Sequence, residues 1–203
     1  MIELPADRSL VLASGSPRRR ELLTGAGLAF AVRAADIDET PLSDEAPTAY
    51  VRRLSIEKAA ASAGSPLAST GDVIIAADTT VEANGLILEK PLDDDDAYGM
   101  LRRLSGRSHQ VHTGVTVSVA RDGARRSSTI LVTTEVSFVP LTDEMIDWYL
   151  TTGEADDKAG AYGIQGAAAA FVERVDGSVT NVIGLPLAET LSLLRDALAA
   201  LDV

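Results

Sequence analysis

The chain has 203 residues, 46% of them hydrophobic and 24% charged, with no cysteine and a formal net charge of −12. That make-up fits an ordinary globular protein. It excludes disulfides, zinc–thiolate sites and thiol nucleophiles, and it argues against the basic surface that duplex nucleic acid requires.

Leu10–Ala13 is a short apolar run that reads as a buried strand. Ser14, Gly15 and Ser16 interrupt it; Ser16 suits a helix N-cap and Pro17 the first helical position. Arg18, Arg19 and Arg20 then fall in the first turn, where the helix dipole disfavours cations. Backbone N–H groups, two hydroxyls and guanidinium forks converging there suit a phosphate chain. Phe30–Ala35 reads as a second strand, followed by the carboxylates Asp36, Asp38 and Glu39 on a loop.

Pro47–Ala63 reads as a helix with Tyr50, Val51, Leu54 and Ala61 as its apolar positions; Lys58 lies on it among alanines, and since a lone helical lysine is normally solvent-facing, that position alone says little. Val73–Ala77 is a continuous apolar run, the pattern of a strand covered on both faces, and it ends at Asp78-Thr79-Thr80. A carboxylate at that position calls for a metal or a cationic neighbour. Asn84-Gly85 is a hairpin turn that returns the chain through Leu86–Leu88 to Glu89-Lys90-Pro91. The acids Asp93–Asp96 are the cap and first turn of a helix closed by Leu104-Ser105-Gly106, not a metal site.

Ser108–Ala120 and Ser127–Val139 read as long strands joined at Asp122-Gly123. His109 and His112 lie an odd number of residues apart, so a regular strand cannot aim both at one metal. Thr142-Asp143-Glu144 starts a helix with Met145, Ile146, Trp148 and Tyr149 turned inward, ending by Gly153. Lys158-Ala159-Gly160-Ala161-Tyr162-Gly163-Ile164-Gln165-Gly166 is a glycine-rich loop without the spacing of a dinucleotide fingerprint. It lets backbone approach a flat ligand, and Gln165 offers a base edge both a donor and an acceptor. Phe171–Val175 reads as a strand and Pro186–Leu201 as a closing helix with Leu191, Leu194 and Leu198 on one face. No run approaches the roughly 20 apolar residues of a membrane helix. Met1–Arg8 has no secretory-signal core. The expected location is the cytoplasm.

Taken in order, Ser14-Gly15-Ser16-Pro17-Arg18-Arg19, Asp38-Glu39, Lys58, Ala77-Asp78-Thr79, Glu89-Lys90-Pro91, Leu104-Ser105-Gly106 with Thr113-Gly114-Val115, the Lys158–Gly166 loop and Gly184-Leu185-Pro186 resemble the Maf family. These are nucleoside triphosphate pyrophosphatases, also called septum-formation proteins. The resemblance implies an α/β fold like that of the inosine triphosphate pyrophosphatases: an elongated central mixed sheet flanked by helices, with two lobes and a cleft between them, in one domain over residues 1–203. It implies cleavage between the α and β phosphates, a divalent cation (Mg²⁺ or Mn²⁺), and a homodimer. Arg18, Thr79 and Gln165 are similar to the branch that prefers dTTP and UTP. Two alternatives stay open: a non-enzymatic regulator of cell division, and a pyrophosphatase of modified nucleotides such as 7-methyl-GTP.

The chemistry such an enzyme needs can be matched to residues. Two unit charges 4 Å apart interact by about 4 kcal/mol at an effective dielectric of 20, so a triphosphate repels an attacking water unless its charge is offset. Arg18, Arg19, Lys58 and Lys90 are the candidate cations, with Ser14 and Ser16 fixing the phosphates. Glu39 and Asp78 are the candidate metal ligands, Asp78 also the base for the water. Thr79 and Gln165 are the candidate selectors of a pyrimidine. The expected partner is the nucleotide substrate, with neither nucleic acid nor membrane.

Overall fold

The computed structural model describes residues 2–121 and 124–201. The expected turn at Asp122-Gly123 lies outside them. Seven strands, β1 (Ser9–Leu12), β2 (Ala31–Val32), β3 (Asp72–Ala83), β4 (Leu86–Leu88), β5 (Ser108–Arg121), β6 (Ala124–Phe138) and β7 (Val172–Asp176), form one sheet. Its order is β2-β1-β3-β5-β6-β7, with β4 paired to β3. β1 runs parallel to β2 and β3, whereas β3–β4 and β6–β7 are antiparallel, so the sheet is mixed. The helices are α1 (Pro17–Gly25), α2 (Pro47–Ala63), α3 (Asp94–Leu104), α4 (Asp143–Leu150), α5 (Val179–Ile183) and α6 (Leu187–Ala199). No helix among the described residues is long and apolar enough to cross a membrane.

The chain divides into two compact units. The first comprises residues 1–78, 113–131 and 184–203. Its strands alternate across the sheet. Leu10, Leu12, Val73, Ile75 and Ala77 pack with Leu23 of α1 and Leu193, Leu194 and Leu198 of α6, while Val11, Ala13, Ile74 and Ala76 pack with Ala59 of α2. Covering on both faces is why these strands read as unbroken apolar runs. The second unit comprises residues 79–112 and 132–183. Its core gathers Leu101 and Leu104 of α3, Ile146 and Tyr149 of α4, Phe138 and Phe171. The Phe171 ring meets Tyr149 edge-on at a centroid distance of 5.2 Å.

Four sequence expectations change. The second strand shrinks from Phe30–Ala35 to Ala31–Val32, because only the parallel register with Val11 and Leu12 sustains it. β3 does not end at Asp78 but continues to Ala83, since Val81–Ala83 pair with Leu86–Leu88 across the Asn84-Gly85 turn. Phe171 closes a short 3₁₀ segment, and the strand after it begins at Val172. Trp148 is 49% exposed instead of inward; only its edge meets Phe171, at 6.4 Å.

Candidate active site

Asp78 is placed by the two-residue period of β3. Val73, Ile75 and Ala77 face α6, so Ile74, Ala76 and Asp78 face α2. The buried stripe of α2 is Val51, Leu54, Ser55, Lys58, Ala59 and Ser62, which puts Lys58 on the inner face. The Lys58 ammonium donates to Asp78 Oδ1 at 2.6 Å and pairs with Glu39 Oε1 at 3.0 Å. Sequence reading named Lys58 as a site cation although a lone helical lysine says little by itself; its position four residues after Leu54 and seven after Val51, on the helix's apolar stripe, is a local sign of its burial.

Glu39 has no regular element to hold it. Its loop is tied to α2 instead: the Tyr50 hydroxyl donates to the Glu39 carbonyl at 2.9 Å, and Arg53 grips Glu45 at 2.7 Å and the Thr40 carbonyl at 3.2 Å. α2 in turn sits close on β5. A Cβ at Gly114 would strike the Val51 carbonyl, and the Ser55 and Thr116 hydroxyls hydrogen-bond at 2.9 Å. Sequence reasoning missed Tyr50 and Gly114 as supports of the site, because neither signals its partner locally.

The first helical turn adds the cations. Ser16 caps α1 by accepting from the Arg19 amide, with Pro17 behind it. Ser14 Oγ accepts from the Ser16 amide at 3.2 Å and from Arg19 Nη1 at 3.1 Å, and Arg19 Nε donates to the Gly184 carbonyl at 2.8 Å. Arg19 is therefore preorganised, its guanidinium tied to the strand-to-helix turn and to the residue preceding Leu185-Pro186. Burial pulls its pKa down and Asp78 pulls it back up, with Arg18 and Glu39 as further charged neighbours. Burial raises the Asp78 carboxyl above the ordinary aspartate range; Lys58 and Arg19 offset part of that rise.

The structure thus brings together Ser14, Ser16, Arg18, Arg19, Glu39, Lys58 and Asp78 in one unit. Thr79, Lys90 and Gln165 belong to the other unit. Lys90 and Gln165 are exposed, and Thr79 follows Asp78 along β3. Gln165 sits in a turn closed by the Gly166 amide on the Gly163 carbonyl at 3.0 Å.

Glu39 and Asp78 fit a hard divalent cation: both offer carboxylate oxygens, and each commits one of them to Lys58. Among the described residues no group of three or more acids or histidines forms a self-contained cage.

The chain matches the family model described as Maf-like protein over residues 9–197. Three relatives are each described as a dTTP/UTP pyrophosphatase. One from Anaeromyxobacter dehalogenans is 54% identical over 188 residues, 93% of both chains. One from Hahella chejuensis is 50% identical over 196 residues, 95% of this chain and 94% of the relative. One from Vibrio parahaemolyticus is 47% identical over 190 residues, 94% and 97%.

Proposed function

The chain belongs to the Maf family, and on that basis we propose that it hydrolyses dTTP and UTP to the nucleoside monophosphate and pyrophosphate. The observation that carries the reading is the buried Lys58 ammonium joining the two acids Asp78 and Glu39, with Arg19 charged beside them. The proposal takes residues 1–203 as one Maf-like domain with the fold of the inosine triphosphate pyrophosphatases. It includes a cytoplasmic location and a homodimer, the latter read by light scattering on a sizing column.

In this mechanism Arg18 and Arg19, with the Ser14 and Ser16 hydroxyls and the α1 amides, bind and orient the triphosphate and neutralise its charge. Asp78 accepts a proton from the water whose oxygen bonds to the α-phosphorus. The bond from that phosphorus to the α–β bridging oxygen breaks, and pyrophosphate leaves. A carboxyl lifted above the usual aspartate range is a stronger base for this step than a free aspartate. Lys58 holds the Asp78 carboxylate in place and ties Glu39 to it. Glu39 and Asp78 would hold Mg²⁺ or Mn²⁺, which would supply Lewis-acid neutralisation of the phosphates. Lys90 contacts the phosphates, and Thr79 and Gln165 select the pyrimidine. These last three roles rest on the family's pattern.

The test is pyrophosphate release by the purified protein with Mg²⁺ or Mn²⁺ across dTTP, UTP, 5-methyl-UTP, CTP, 7-methyl-GTP and ITP. dTTP and UTP are the expected substrates. Failure to release pyrophosphate from any of them sinks the proposal, and preference for 7-methyl-GTP moves the chain to another substrate class.

A further inference from the structure

The turn that carries Gln165 is braced from both sides by side chains outside it. On its C-terminal side the Glu154 carboxylate accepts from the Ala167 amide, at 2.9 Å to Oε2 and 3.2 Å to Oε1. It also occupies the space a Cβ on Gly166 would need. On its N-terminal side the Lys158 stem lies on Gly163, where an added Cβ would sit 2.6 Å from Lys158 Cε and 3.9 Å from Gln165 Oε1. Lys158 Nζ is itself tied down, to the Glu154 carbonyl and to Asp157 Oδ1 at 2.8 Å. The two glycines flanking Ile164-Gln165 are thus the places where Glu154 and Lys158 press against the backbone.

We propose that Glu154 and Lys158 are positioning residues for base selection: together they clamp the Gln165 turn so that its carboxamide presents one fixed donor–acceptor pair to the pyrimidine edge. The inference rests on the reading of Gln165 as a pyrimidine selector. Uracil presents O4 and N3–H, where cytosine presents N4–H and N3. A turn held in one geometry discriminates between them, whereas a turn free to shift re-pairs with either. Neither clamp residue touches the base; both act through the backbone that carries Gln165. A carboxylate accepting a backbone amide is a role that glutamine also fills and alanine does not.

The experiment measures kcat and KM for UTP and CTP in wild type, Glu154→Ala, Glu154→Gln, Gly166→Ala and Gln165→Ala, with thermal melting of each. In Glu154→Ala the ratio of kcat/KM for UTP over CTP is expected to fall roughly 10-fold to 100-fold, chiefly through a higher KM for UTP. Glu154→Gln restores most of that ratio, an outcome that a purely structural need for a charge does not produce. Gly166→Ala pushes a methyl into the same carboxylate and reproduces the loss by an independent route, which keeps the test decisive if Glu154→Ala folds poorly. Wild-type ratios in both Glu154→Ala and Gly166→Ala, with the ratio lost in Gln165→Ala, overturn the clamp and leave the selector standing. An unchanged ratio in Gln165→Ala removes the selector, and the clamp falls with it.

Discussion

Lys58 Nζ lies 2.6 Å from Asp78 Oδ1, on side chains that are 9% and 8% exposed, and the same ammonium reaches Glu39 Oε1 at 3.0 Å. One cation therefore holds two acids supplied by two other segments of the chain. Replacing Lys58 by Met leaves Asp78 buried beside Glu39 without its nearest counter-charge. The expected cost is about 3–5 kcal/mol of stability, with kcat/KM for dTTP falling at least 100-fold. Thermal melting and pyrophosphate release read the two effects, and a variant that keeps wild-type values for both refutes the role.

Asp78→Asn keeps the shape and a hydrogen-bond partner for Lys58 but removes the base. Turnover of dTTP is expected to fall by roughly 10²–10⁴-fold, with nucleotide binding to the protein retained. Calorimetric titration with a non-hydrolysable triphosphate separates the two. Near-normal turnover would take Asp78 out of the chemistry.

Gly114→Ala tests the seat of α2. The added methyl meets the Val51 carbonyl in the strand-facing turn of that helix, and relief requires α2 to move with Lys58 on it. Overpacking of this kind costs typically 1–3 kcal/mol, or about 2–12 °C in melting temperature for a chain of this size. Activity is expected to drop more than stability, since small displacements of catalytic groups are amplified in rate. Unchanged kcat with an unchanged melting temperature would show that the helix does not depend on this close approach.

His109 gives the stability of the fold a pH dependence. Its Nε2 shares a 2.8 Å hydrogen bond with the Tyr162 hydroxyl, its ring meets Phe138 at 4.9 Å, and burial lowers its pKa from 6.5 to about 4. Between those values the unfolded chain binds the proton and the folded chain does not, so stability rises with pH. The contribution is complete above pH 6.5 and is lost as pH falls toward 4; the shift corresponds to about 3 kcal/mol. Urea unfolding of wild type and His109→Gln from pH 7 to pH 4.5 is expected to show a shallower slope in the variant. Parallel curves would mean that this histidine is protonated in the fold as readily as outside it.

Local chemistry made much of the fold legible. The α2 span Pro47–Ala63 follows from a proline at the first position and an unbroken helix-forming run, and the α1 start follows from Ser16 and Pro17. What failed depended on pairing or depth. Residues 78–83 carry too many polar groups to read as strand interior, and pairing with neighbouring strands, Leu86–Leu88 against Val81–Ala83 among them, keeps them in β3. Trp148, apolar and on a helix, was turned inward by its chemistry alone, whereas its side of α4 lies at the margin of the core.

From residues alone came the element types, the family pattern and the identity of the charged groups. Which of those groups meet was settled by tertiary packing. Glu39, Lys58 and Asp78 lie about twenty residues apart, on a loop, on α2 and on β3. A buried ammonium is tolerable only when acids from elsewhere reach it, so its burial is a property of the assembled core and of no single segment.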